Sequence, residues 1–238
     1  MKKLTIFTIT IWLTGSIALA QNSRDTYQAY LSSLTTLWET SVSRQQTAYN
    51  QSKSPQDLFM LALTQYGLLN NTMADSDETL FDKYIDAADK NLDKLIELNY
   101  KSAEAKAIQS AVTGLKIAYS SWKGMFLGAK SANLIDEAMD EAPGSPVVRK
   151  LHASYLYFTP EMFGGDKALA TSEFTKAVEL FEKGDVSNNW LYLDALAWLG
   201  IALNNQGEKQ QAREVYQKAL AIAPDFNWVK FELLPNAK

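Results

Sequence analysis

His152 is the one histidine of the 238-residue chain, and there is no cysteine. These two facts bound most of the chemistry open to the protein. A serine triad would have to use His152 as its base. That residue lies on a predicted helix beside Leu151 and Tyr155, on the packed face, and no GxSxG elbow accompanies it. A zinc site wants several nitrogen and sulphur ligands, and only this imidazole is present. Two acidic clusters remain, Asp75-Ser76-Asp77-Glu78 and Asp136-Glu137 with Asp140-Glu141. A calcium-binding EF-hand loop needs Gly at its sixth position and Glu at its twelfth. Counted from Asp75, those positions hold Leu80 and Asp86, so the loop fails. The acids read as a polar turn and a solvated helix face. Gly164-Gly165 is not followed by Gly-Lys-Ser/Thr and is read as a turn rather than a phosphate loop. Trp122, Trp190, Trp198 and Trp228 could stack on a sugar, but their helical settings favour packing. The chain is therefore expected to hold no metal and no cofactor, and not to be an enzyme.

The composition adds where the chain works. Hydrophobic residues make up 47% and charged residues 21%, ordinary for a folded protein. Lys2 and Lys3 open a mostly apolar run from Leu4 to Ile17, and Ala18-Leu19-Ala20 places small residues two apart. This three-part pattern predicts a secretory signal over 1–20, cleaved before Gln21, of bacterial type. The run is too short and too rich in hydroxyls for a membrane span. Residues 1–20 hold two lysines and no acids, so their removal takes the formal net charge from −4 to −6. An acidic chain lacks the basic face that nucleic acid requires. The expected location is the periplasm or the outside, with no stable insertion in a membrane.

The residues above must be positioned by helices. The stretch 193–226 predicts two: Leu193–Asn205, a turn at Gln206-Gly207-Glu208, and Lys209–Ile222 stopped by Pro224. Gly200, Ala212 and Ala219 are small enough to let helices approach, and Leu196, Leu199, Leu203 and Tyr216 fill the space around them. The pattern recurs upstream with insertions. Hairpins are expected at about 146–182, 103–143 and 55–100. In 146–182, Pro160 should end the first helix and Asp166 should cap the second. In 103–143, Gly124 and Gly128 fall in the connection. A helix from about Arg24 to Tyr49, carrying Tyr27, Leu31, Leu34 and Trp38, would cover one end. Phe226, Trp228, Val229, Phe231, Leu233 and Leu234 would cover the other.

In 193–226, the order of Leu196, Leu199, Gly200, Leu203, Gly207, Ala212, Tyr216, Ala219 and Pro224 resembles the tetratricopeptide repeat family. The hairpins at 103–143 and 146–182 resemble it through Ala138 and Pro143, and through Ala170, Phe174 and Ala177. The segment TPEMFGGDKALA is similar to a longer-turn variant in secreted bacterial members. The resemblance implies an all-α fold over 21–238: an α-solenoid of about four antiparallel helix hairpins with N- and C-terminal capping segments. It also implies an exported scaffold that binds a protein or peptide on its concave face. The matching groove positions are Phe59, Leu63, Tyr66, Lys150, Ser154, Tyr157, Ala197, Ile201 and Asn204. Ala197 and Ile201 stand where the family's carboxylate clamp wants a cation and an amide, so apolar or aromatic anchors are expected instead. The alternative reading is a small-molecule carrier or accessory subunit of a periplasmic uptake system. Its insertions near Trp122 and Phe163 would then enclose a cavity.

Overall fold

The structure, a computed structural model, describes residues 24–237. The expected signal at 1–20 lies outside them. Eleven helical segments follow one another: α1 (24–32), α2 (Thr35–Ser52), α3 (Pro55–Asp75), α4 (Glu78–Glu97), α5 (Ser102–Tyr119), α6 (Gly124–Glu141), α7 (Pro146–Phe158), α8 (Lys167–Phe181), α9 (Trp190–Asn205), α10 (Lys209–Ile222) and the short α11 (Leu234–Asn236). None of the described helices is long and apolar enough to cross a membrane.

The helices start where the sequence supplies a cap. The side chains of Ser54, Asp77, Ser145, Asp166 and Asn189 each accept a backbone N–H at the first turns of α3, α4, α7, α8 and α9. Pro55 and Pro146 occupy first-turn positions where their missing N–H costs nothing. Gly207 takes φ 87° in the turn before α10. Two boundaries differ from expectation. The helix expected over 24–49 is broken at Ser33, which takes φ 54°, so α1 turns away from α2. Gly124 and Gly128 lie within α6 rather than in a connection, because a short 3-10 turn at Ser121–Lys123 suffices to reverse the chain.

Consecutive helices from α2 to α6 pack pairwise, as do α7 with α8 and α9 with α10. Close approach is set by small residues. A methyl group at Gly67 would overlap the fully buried Trp38 ring, and one at Gly200 would overlap the Tyr216 ring. Ser110 and Ser131 lock α5 to α6: each hydroxyl donates to the other's backbone carbonyl, at 2.8 and 3.1 Å.

The expected regular solenoid of about four hairpins is corrected. The protein is an irregular all-α bundle of uneven helices, from 3 residues in α11 to 21 in α3. In a solenoid each repeat touches only its neighbours. Here α1 reaches across the molecule: the Tyr30 ring lies 5.6 Å from Trp190 and 5.4 Å from Phe226. Trp190 also meets Trp38 and Tyr66 at 5.5 and 6.1 Å. The helix that receives these contacts is α9, and only Trp198, Ile201, Asn204 and Asn205 of its 16 residues escape burial. A helix apolar on nearly every side needs neighbours on every side, and a two-layer array cannot supply them.

Candidate functional site

The expected groove positions fall into two groups. Phe59, Tyr66, Lys150 and Ala197 are buried. Lys150 forms an ion pair with Asp194, their side chains 3% and 2% exposed. Tyr30 donates to the same carboxylate at 2.9 Å. Burial pulls the Lys150 ammonium down, but the Asp194 carboxylate, with Tyr66 beside it, outweighs that and holds Lys150 above its usual value. Burial, and then Asp194, push the Tyr30 hydroxyl well up. These expected groove positions are thus taken up by the chain's own packing, with Tyr30 of α1 and Lys150 both held by Asp194. A cleft of about 230 Å³ remains between α1, α3 and α9, where Leu63 lies with Met60, Val147 and Trp190. That is below the roughly 300–1,000 Å³ of most ligand pockets.

Ser154, Tyr157, Ile201 and Asn204 are half-buried and lie further along α7 and α9. The Tyr157 hydroxyl accepts from Asn205 at 2.6 Å. Its ring begins an aromatic run: Trp198 is 5.7 Å from Tyr157 and 4.8 Å from Phe158, and Trp228 is 5.9 Å beyond.

This run sits at an end of the molecule that three hairpins share. Helices joined by short connections pack antiparallel, so α5 and α7 run parallel. Their starts meet where Ser145 donates to Glu104 at 3.2 Å. Lys150 with Asp194, and Tyr157 with Asn205, set α7 and α9 parallel too. The C-terminal ends of α5, α7 and α9 therefore share one end, and both chain insertions project there.

Each insertion exposes large apolar side chains. In the 3-10 turn and the first turn of α6 that follows it, Trp122 is 64%, Met125 84% and Phe126 69% exposed. The spacing i, i+3, i+4 places all three on one face, and the Trp122 and Phe126 rings are 6.0 Å apart. Between α7 and α8, Phe158 is 61%, Met162 81% and Phe163 66% exposed. The second turn is tightly built. Phe163 and Gly165 both donate to the Pro160 carbonyl, at 2.8 and 3.2 Å, and Asp166 donates to the Leu156 carbonyl at 3.0 Å. Gly164 takes φ 97°, and Gly165 lies too close to the Thr159 carbonyl to carry a Cβ. A turn held this firmly fixes its apolar tips outward. Trp122 and Phe163 are the insertion residues that the sequence pattern singles out; for Met125, Phe126, Phe158 and Met162 the signal is the repeated Met-Phe pair in WKGMF and FTPEMF.

The titratable clusters have structural roles. His152 is half-buried, with Nδ1 3.7 Å from Glu173. Burial lowers its pKa, against the pull of Glu173. Glu173 itself accepts from Arg149 at 2.6 Å and Lys176 at 3.2 Å. Glu137 and Glu141 both pair with Lys106, at 2.6 and 2.5 Å. Among the described residues no group of three or more His, Asp or Glu side chains is placed to hold a metal ion.

The tetratricopeptide repeat family model matches residues 193–226, a single repeat. No curated protein matches the chain. Among solved structures, the fold is similar to that of the HusA haemophore from Porphyromonas gingivalis. The TM-score is 0.61 at 19% identity, over 77% of this chain and 92% of that one. The family resemblance is thereby corrected: it describes one hairpin, α9–α10, while the fold as a whole is shared with HusA.

Proposed function

We propose that the protein is an exported carrier for a small, flat, largely apolar molecule of the haem and porphyrin class, held by the exposed aromatic belt of its two insertions. The protein or peptide scaffold expected from the family resemblance is not retained. Of its groove positions, Phe59, Tyr66, Lys150 and Ala197 are buried in the chain's own core, and the single repeat match is outweighed by likeness over 77% of the chain to a haemophore. What remains is the alternative, a small-molecule carrier of an uptake system.

One observation carries the proposal: six large apolar side chains, 61–84% exposed, stand on two hydrogen-bonded turns at one end of the fold. Burying such a side chain is worth about 1.5–3 kcal/mol. Proteins seldom leave grouped apolar surface exposed without a use for it. Aromatic faces suit a planar ring, by offset stacking or edge contact. Polar edges of the ligand have partners at hand. Lys123 is in the first turn, and Lys167 lies with its ammonium 5.9 Å from the centre of the Tyr157 ring. The donor set also suits a carrier, which must release what it holds: no thiolate is present.

The test is a titration of the mature chain with haem, followed by the haem absorption band and by quenching of tryptophan fluorescence. A saturable one-site curve supports the reading. Absence of both signals at micromolar concentrations contradicts it.

A further inference from the structure

Lys106, Lys116, Lys176 and Lys218 are each paired with a carboxylate. Lys167, where the second insertion enters α8, is exposed and makes no ion pair with a described residue. Its ammonium lies instead 5.9 Å from the centre of the Tyr157 ring, within reach of a cation–π contact. Both sides of that contact are held. Gln206 donates to the Lys167 carbonyl and to the Thr171 hydroxyl, at 3.1 and 2.8 Å, which fixes the first turn of α8 against the end of α9. Tyr157 accepts from Asn205, the last residue of α9. The carboxylate of the adjacent Asp166 accepts from the Leu169 N–H at 2.9 Å, as the helix cap.

Tyr157 is also a corner of the aromatic run. Its ring centre is 5.2 Å from that of Phe158 and 5.7 Å from that of Trp198, and the Phe158 and Trp198 rings are 4.8 Å apart. Phe158 is exposed, and Tyr157 and Trp198 are half-buried. One neighbourhood thus offers an aromatic surface with a cation at its edge that has no counter-charge. The chain as a whole is acidic, so an anionic ligand is favoured only where a cation is spare.

We infer that Lys167 takes a carboxylate at the edge of the carried ring while the flat face of the ring lies on Phe158 and Trp198, so that the cargo is selected as a carboxylated, anionic ring. Tyr157 is the positioning residue, since its ring holds the ammonium at the border of the apolar surface. The inference rests on the carrier reading and adds which edge of the ligand is recognised.

The experiment measures the affinity of the mature chain for haem and for haem dimethyl ester, which keeps the ring and loses the carboxylate charges. The wild type is compared with Lys167→Met and Lys167→Arg. Lys167 is exposed, so both replacements leave the core untouched; a thermal melt verifies this. The wild type is expected to prefer the free acid by about fivefold or more, the scale of one charge-assisted contact at a partly exposed site. Lys167→Met removes that preference and leaves affinity for the ester unchanged, and Lys167→Arg restores it. If the wild type does not distinguish acid from ester, or if Lys167→Met lowers both affinities by the same factor or neither, the inference fails while the carrier reading stands. If neither ring binds the wild type, the carrier reading fails and takes the inference with it.

Discussion

The Tyr30 hydroxyl donates to Asp194 Oδ1 at 2.9 Å, joining residues 164 positions apart. The other oxygen of that carboxylate is paired with Lys150. One buried acid thus ties α1 and α7 to α9, and Tyr66 of α3 closes the group from the Lys150 side. Helices distant in sequence are thereby tied together through one buried charged group. On the proposed reading the ligand is met at the rim, where the two insertions expose their apolar side chains.

Removing the acid leaves a buried ammonium without its counter-charge. Asp194→Ala is expected to cost about 3–5 kcal/mol. Tyr30→Phe removes one hydrogen bond to a charged group and should cost about 1.5–3 kcal/mol. Urea unfolding of the three proteins checks both values and their order.

Gly200 faces the Tyr216 ring with no room for a methyl group. Gly200→Ala is expected to destabilise by about 1–3 kcal/mol through overpacking, although alanine is the better helix former. Gly114 has open space around its Cβ direction, so Gly114→Ala should be neutral or stabilising. Thermal melts of the pair separate packing from propensity.

Acid should lower the protein's stability in two steps. The His152 pKa is lowered by burial, so the unfolded chain binds its proton more readily. The stability it contributes is present above its usual 6.5 and is lost as pH falls below that. Glu173 suffers desolvation, but Arg149 and Lys176 outweigh it and hold its carboxyl below the usual 4.5. Its contribution is present above 4.5 and disappears as pH falls through the lowered value. Melting temperature measured against pH should therefore fall first below 6.5 and again below 4.5. His152→Gln should flatten the first step and Glu173→Gln the second.

Much of this structure could be read from particular residues. Asp166, Asn189 and Ser145 carry oxygens that cap helices wherever they precede an apolar run, and Gly207 suits a positive φ. Pro160 stops α7 because the residue before it avoids helical backbone. These signals are local, and local signals survive in one dimension. What could not be read is what joins distant parts. Ser33 breaks the first helix, and α1 then brings Tyr30 to Asp194, 164 residues away in sequence, and to Trp190. The apolarity of α9 looks the same whether one or several neighbours cover it. Lys150 matches a groove position, and nothing near it in the sequence announces a buried acid 44 residues on. The belt was half visible. Trp122 and Phe163 marked the insertions, but the exposure of Met125 and Met162 depends on turns whose shape is set by backbone hydrogen bonds.

Trp122 and Phe126 are 64% and 69% exposed, so they contribute little to the fold. Trp122→Ser/Phe126→Ser should change unfolding free energy by no more than about 0.5 kcal/mol. Equilibrium denaturation checks this independently of any ligand.

The most direct test sets the rim against the interior. Haem affinity is measured for the wild type, for the rim variant Trp122→Ser/Phe126→Ser/Phe158→Ser/Phe163→Ser, and for Leu63→Ser in the inner cleft. The rim variant should keep its helical spectrum and lose affinity by more than about tenfold, as when anchors worth about 2 kcal/mol are removed, while Leu63→Ser binds as the wild type does. Full affinity in the rim variant, with loss in Leu63→Ser, would place the ligand inside the curve and contradict the account.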